Sequence, residues 1–309
     1  MTEVAPPSSS AVRVRVPAKI NLALKVGAPR DDGYHPLATV YHAVSLYDEV
    51  TADWAAPGQF TAAVTGEGAH LVPTGDSNLA VRAARLLAQT FGRGNPLGVS
   101  LSITKAIPVA GGLAGGSSNA AAALLACSVL WDLEVRESDL FLLAAQLGSD
   151  VPFLLLGGTA VGSGRGEQIA PALTTGSYSW VLAFGWQGLS TPAVYRRFDE
   201  LTQAPEVPIV PEALMNGLRA GDPARVGRAL SNDLQPAALA LAPRLRRTLE
   251  AGVELGALGA LVSGSGPTCA FLAASASAAV DLSVALSAEG VCRAVRCLTG
   301  PVPGARVVS

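Results

Sequence analysis

Cysteine is scarce in this chain: Cys127, Cys269, Cys292 and Cys297 are the four among 309 residues. None forms a C-x-x-C pair, which argues against a disulfide framework or a zinc clip and favours reduced, buried thiols in a cytoplasmic protein. Histidine is scarcer still, and His35, His42 and His70 form no metal-binding helix motif, so no protein-held metal is expected. Charged residues make up only 15%, the formal net charge is −2 and no basic run stands out, so nucleic acid is not expected as a partner. No stretch of roughly 18 apolar residues escapes polar or glycine interruption, so no membrane partner is expected either. The opening "MTEVAPPSSSAVRV" lacks a basic head and an apolar stretch, and reads as a frayed tail, not a signal peptide. There is no G-x-G-x-x-G, hence no support for a dinucleotide fold, and no internal repeat.

What is present is apolar. Hydrophobic residues are 50% of the chain, mostly Ala, Val and Leu, with aromatics at 5%. That composition folds, and the length suffices for one large domain or two modest ones.

The patterning alternates strands and helices. "RVRVPAKINLALKV" and "ATVYHAVSLYDEV" alternate as half-buried strands do, and "LGVSLSIT" (Leu97 to Thr104) reads as another. "GDSNLAVRAARLLAQTFG" reads as a helix capped by Asp76 or Ser77 and ended by Gly92. A second helix runs from the glycine loop to about Trp131, and a third, "ESDLFLLAAQLG", has Ser138 as N-cap and Gly148 as stop. "SDVPFLLLGGTAVGSGRGEQI" reads as strand and turn. Beyond it come strand "SWVLAF", short helices at "TPAVYRRF", "PEALMNGLRAG" and "DPARVGRAL", and a longer helix from Pro236 to Leu255. Strand "GALV", loop "SGSGP", strand "TCAFLA", helix "SASAAVDLSVALSA" and strand "VCRAVRCL" close the chain. Strand–strand–helix–strand at the end points to an open α+β sandwich of ferredoxin-like type.

One stretch asks for a chemical reading. "PVAGGLAGGSSNAAAALLA" places four glycines and two serines directly before an alanine-rich helix. Gly111 and Gly116 have the spacing of a P-loop, but Ser117 stands where its lysine would be. Two readings remain. A Gly-rich turn permits close helix packing; alternatively, bare N–H groups and the helix dipole hold phosphate, with Ser117 and Ser118 as caps or hydroxyl donors. Spacing alone does not separate them.

"PVAGGLAGGSSNAA" resembles the phosphate-binding signature of the GHMP kinases, P-x-x-x-G-L-[GSA]-S-[GS]-[AS]. The version G-G-S-S-N-A-A is that of the subfamily acting on 4-diphosphocytidyl-2-C-methyl-D-erythritol. "PAKINLALKV", "DDGYHPLATVYHAVSLYDEV", "LGSDVPFLLLGGTAVGSGRGE" and "LVSGSGPTCAFL" follow that subfamily's remaining segments in order, from about Arg13 to Cys297. "GSDVPFLL" stands where the subfamily has a second Phe, a conservative departure.

The resemblance implies an α+β, two-domain architecture: an ATP-binding, ribosomal-protein-S5-like domain over residues 11–167 and a ferredoxin-like substrate domain over 168–300. It implies transfer of the γ-phosphate of ATP to the 2-hydroxyl of the cytidyl substrate, in the non-mevalonate route to isoprenoid precursors. It implies ATP with Mg²⁺, a small-molecule partner and a monomer or homodimer. It assigns the ATP cradle to Pro108, Val109, Ala110, Gly111, Gly112, Leu113, Ala114, Gly115, Gly116, Ser117 and Ser118. Lys19 and Asp150 map onto the catalytic pair. Tyr34 and Tyr195 map onto two positions that stack on cytosine, the second commonly Phe. His35 maps onto a residue that reads the cytosine edge, and Asn21 onto a polar group beside the pair. Gly264 to Pro267 matches the last motif and braces the site; Gly162 to Glu167 also matches a family segment but takes no role.

Each assignment has a plainer reading: Lys19 as a solvated strand lysine, Asp150 as a cap before Pro152, each Tyr as packing, the Gly264 turn as a strand connection. Three rival functions are another GHMP kinase of the mevalonate or homoserine type, a non-catalytic nucleotide-binding protein and a dehydrogenase. The first would lack the tyrosine clamp, the second would not need Lys19 and Asp150 together, and the third lacks its dinucleotide fingerprint.

Overall fold

The structure is a computed structural model and describes residues 11–92, 94 and 96–308. The tail expected at residues 1–10 lies outside the described residues.

The chain begins with strands β1 (Val12–Val26), β2 (Leu37–Trp54) and β3 (Phe60–Gly66), helix α1 (Leu79–Phe91) and strand β4 (Val99–Lys105). Helices α2 (Gly115–Leu130), α3 (Glu137–Leu147) and α4 (Val151–Leu156) precede β5 (Thr159–Ser163), β6 (Gln168–Pro171) and β7 (Tyr178–Phe184). Then come α5 (Thr191–Leu201), α6 (Glu212–Ala220), α7 (Pro223–Ala229), β8 (Ser231–Asn232), α8 (Gln235–Leu241) and α9 (Arg244–Glu254). The chain closes with β9 (Gly259–Val262), β10 (Cys269–Ala273), α10 (Ala276–Glu289), β11 (Ala294–Gly300) and β12 (Arg306–Val308).

The described strands form two sheets, and the α+β class is borne out. The first has the order β12-β1-β2-β4-β3, with β5 and β8 pairing β2 and β1, and β6 extending β5. The second is antiparallel, in the order β11-β7-β10-β9. Helix α2 lies in the middle of the first half. Its alanines and leucines are buried on nearly every side, as expected of a helix apolar all round. Small side chains let it pack tightly between the first sheet and α1, α3 and α4.

On one face of the second sheet, Trp180, Leu182, Ala270 and Leu272 pack with Ile20 and Val44 of the first sheet. On the other face, Val181 and Phe271 pack against α5, α8, α9 and α10. One continuous interior therefore joins the two halves.

Several local expectations are corrected. The cap of α1 is Asn78, whose Oδ1 accepts from the N–H groups of Ala80 (2.9 Å) and Val81 (3.4 Å), while Asp76 pairs with Arg85. Helix α3 starts at Glu137, with Arg136 at the cap position; Ser138 lies inside, and Glu137 and Asp139 face the positive helix end instead. The helix expected over Pro236–Leu255 is two, α8 and α9, broken where Pro243 removes an N–H and crowds the preceding turn. Residues 151–156 are helix, not strand, with Pro152 in the first turn where no N–H is needed. Strand β3 went unread because it is an edge strand with no buried face, and β12 because it is three residues long.

Candidate active site

Lys19 and Asn21 lie two residues apart on β1, so their side chains share a face. Register shifts between Pro17 and Ala18 and between Asn21 and Ala23 bracket them; such bulges re-aim side chains near functional sites. Lys19 Nζ donates to Asn21 Oδ1 (2.8 Å) and to the Gly112 carbonyl (3.4 Å), and lies 3.6 Å from Asp150 Oδ2. Asn21 is held in turn by donating to Thr39 Oγ1 (2.8 Å), whose hydroxyl donates to the Ala23 carbonyl (2.7 Å). Lys19 is buried and not solvated. Asp150 stands at the cap position of α4, yet its side chain makes no cap bond. It faces Lys19 and the Tyr41 phenol, and the phenol's titration is pushed well up by burial and by Asp150.

The glycine loop reaches the same place. The cap position of α2 is Ala114, in the left-handed region at φ 62°, and no side chain caps the helix. The expected capping role of Ser117 and Ser118 is therefore corrected: Ser118 is buried and its hydroxyl bonds the carbonyls of Pro17 (2.9 Å) and Ala114 (3.1 Å). No side chain satisfies the N–H groups of the first turn of α2. Glycine serves two purposes here. Gly116 faces open space. Gly112, at φ +76°, sits where a Cβ would lie 2.2 Å from the Ser263 carbonyl, so its absence lets the loop dock on the Gly264 turn. The close-packing reading thus applies at Gly112, while Gly116 leaves the start of α2 open to the cavity.

That turn is braced on three sides. Ser263 Oγ donates to the Gly112 carbonyl (3.2 Å), Asn232 Nδ2 donates to the carbonyls of Val262 (2.6 Å) and Gly264 (2.7 Å), and Ser265 and Thr191 share a hydroxyl bond (2.8 Å). A Cβ on Gly264 would lie 3.5 Å from both Lys19 Nζ and Asn21 Oδ1.

A cavity of about 860 Å³ joins these parts. Lys19, Asn21, Asp150, Gly116, Tyr34 and Tyr195 all line it. Tyr34 is 54% exposed. Tyr195 lies 5.2 Å from the His35 ring, and burial, with Asp150 second, pushes its phenol up. His35 is buried, with Nδ1 2.7 Å from the Gly27 carbonyl and Nε2 3.3 Å from Asp199. A base edge reaching this ring would have to share or displace Asp199.

A second lysine was missed. Lys105, at the end of β4, also lines the cavity and pairs with the fully buried Asp48. Asp48 further accepts from Asn119 Nδ2 (2.8 Å) and from the N–H groups of Ala106 (2.7 Å) and Ile107 (2.9 Å), which ties the loop's start to α2. The signal was a lysine closing an apolar strand just before the glycine loop. Tyr41, Thr39 and Asp199 were missed as well, and carry no local signature.

Two family profiles match the chain: GHMP kinases N terminal domain over residues 78–158, and GHMP kinases C terminal over residues 214–292. A 4-diphosphocytidyl-2-C-methyl-D-erythritol kinase of Mycolicibacterium smegmatis is 55% identical over 97% of this chain and 94% of its own. The chain belongs to the GHMP kinases. Among solved structures, a 4-(cytidine 5'-diphospho)-2C-methyl-D-erythritol kinase superposes with a TM-score of 0.74 at 36% identity, covering 93% of this chain and 98% of its own. A homoserine kinase from Cytophaga hutchinsonii superposes at 0.71 with 19% identity, covering 99% of this chain and all of its own (100%), a likeness of fold alone. The kinase family uses ATP. No helix among the described residues is long and apolar enough to cross a membrane.

Proposed function

We propose that this chain transfers the γ-phosphate of ATP to the 2-hydroxyl of 4-diphosphocytidyl-2-C-methyl-D-erythritol, in the non-mevalonate route to isoprenoid precursors. The observation that carries it is the meeting of Lys19 and Asp150, 3.6 Å apart, in one cavity with the uncapped start of α2. Residues 108–118 hold the triphosphate by main-chain N–H groups and the helix dipole. The acceptor hydroxyl lies against Asp150, which orients it and takes its proton as the new O–P bond forms. The bond to the β-phosphate breaks and ADP carries the electron pair away. Lys19 neutralises charge on the transferring group.

Tyr34 and Tyr195 supply flat faces for cytosine, with His35 at the base edge and Asn21 holding Lys19 in place. Mg²⁺ enters with the nucleotide. No group of three or more metal-binding side chains occurs among the described residues; one carboxylate, Asp150, and the Ser117 hydroxyl fit a cation held mainly by phosphate oxygens and water. The four cysteines are free, three of them buried, which supports the cytoplasm as the compartment.

A coupled ADP-release assay against a panel of alcohols tests the reading. The cytidyl substrate should be turned over far faster than mevalonate or homoserine. Turnover of either of those, with none of the cytidyl compound, would sink it.

A further inference from the structure

We propose that Arg165 holds the diphosphate of the cytidyl substrate, which makes the tip of the β5–β6 hairpin part of the acceptor site. This rests on the function proposed above. Such a substrate is linear: base, ribose, diphosphate, then the polyol that accepts phosphate. With the base at Tyr34 and the accepting hydroxyl at Asp150, the diphosphate runs between them.

Arg165 occupies that interval. Its guanidinium carbon lies 4.9 Å from the Tyr34 ring centroid. The next residue, Gly166 at φ +106°, is pressed into the site wall: a Cβ there would lie 2.4 Å from the Tyr41 hydroxyl and 3.6 Å from Ser149 Cβ. The hairpin tip thus touches the residue before Asp150 while its side chain reaches Tyr34.

The charges of the cavity single out the same residue. Lys19, Lys105, Arg165 and Arg196 are the cations among its lining residues. Lys19 is committed to Asp150 and Lys105 to Asp48. Among the described residues, Arg165 has no carboxylate within ion-pair distance, and its polar side-chain atoms have no hydrogen-bond partner. The adjacent acid is engaged elsewhere: Glu167 accepts the main-chain N–H of Arg165 at 2.7 Å. Arg196 of α5 also has no ion-pair partner among the described residues, but of the two only Arg165 lies over the Tyr34 ring. A planar guanidinium suits two phosphate oxygens at once.

The test uses the full chain and three ligands: CDP and cytidine as competitors of the substrate, and ATP. Arg165 is exposed, so Arg165→Gln leaves the fold intact. In Arg165→Gln, inhibition by CDP should weaken by about tenfold or more, the range of one charged hydrogen bond. Inhibition by cytidine and KM for ATP should stay within about twofold, and Arg165→Lys should fall between, since it keeps charge but loses the fork. Equal weakening of CDP and cytidine would mean that Arg165 only supports the Tyr34 ring. A raised KM for ATP with CDP unchanged would give the residue to the triphosphate. Either result, or no change at all, overturns the proposal. Wild-type protein that binds neither CDP nor cytidine would overturn the proposed function itself, and this inference with it.

Discussion

Two lysine–aspartate pairs sit about one strand apart in this molecule, and they are built in opposite ways. Lys105 and Asp48 are sealed: the aspartate is fully buried and has four donors, from Lys105, Asn119 and two main-chain amides. Lys19 and Asp150 are left open. Their contact is a loose 3.6 Å, and the Asp150 side chain is 29% exposed. A saturated carboxylate has no lone pair to offer a substrate; an unsaturated one does. The sealed pair holds the loop, and the open pair faces the cavity. Lysine and aspartate are common to both, so residue type alone does not tell the roles apart.

The sharpest way to break this contrast is to neutralise each aspartate. Asp150→Asn should lower kcat by about 10²–10⁴, the usual worth of a general base, while the urea midpoint moves less than in Asp48→Asn, because the 3.6 Å contact is loose and Lys19 keeps Asn21 Oδ1 and the Gly112 carbonyl. Unchanged turnover would remove Asp150 from the chemistry. Asp48→Asn should do the reverse in kind: about 3–5 kcal/mol of unfolding free energy lost, because Lys105 is left buried without its counter-charge. A loss under about 1 kcal/mol would show that the pair is not sealed.

A third buried group extends the comparison to acid. His42, on β2 opposite Thr159 of β5, is fully buried and bonded through Nδ1 to Thr159 Oγ1 (2.9 Å), and burial lowers its pKa to about 3. The folded state therefore keeps His42 neutral where the unfolded chain takes up a proton. Its contribution is whole above pH 6.5 and shrinks as pH falls toward about 3. In that window wild type should lose up to about 1.4 kcal/mol per pH unit more than His42→Gln. Parallel stability curves for the two would contradict a sealed, neutral His42.

The smallest effect belongs to the open side. Tyr34→Ala should raise KM for the cytidyl substrate by the equivalent of about 1–3 kcal/mol, the worth of one stacked base. It should leave kcat nearly alone, since stacking binds ground and transition states alike. A large fall in kcat at constant KM would count against the clamp.

Much of the site could be read before the fold was known. The glycine loop, Lys19 in "PAKINL", Asp150 in "GSDVPF" and Tyr34 in "DGYH" each sit in a short run whose residue order carries the meaning. Helix and strand periodicity located most elements, because an apolar face repeats every two or every three to four residues. The misses share a cause. Asn78 and not Asp76 caps α1, and Ser118 bonds back into the sheet and not the helix end, because several residues could make the same local bond and packing chose among them. Pro243 cuts the predicted long helix into α8 and α9, as its missing N–H requires.

By itself, the order of residues located most elements and the glycine loop ahead of an alanine helix, and through its family resemblance pointed to Lys19 and Asp150. The tertiary structure alone decided which lysine sits in an open pair on the cavity and which is locked away, and that Arg165, silent in its glycine-rich turn, reaches Tyr34. The reason is physical. Propensity and periodicity act over a few residues, whereas burial, charge pairing and the shape of a cavity depend on partners more than 100 positions away, as Lys19 and Asp150 are.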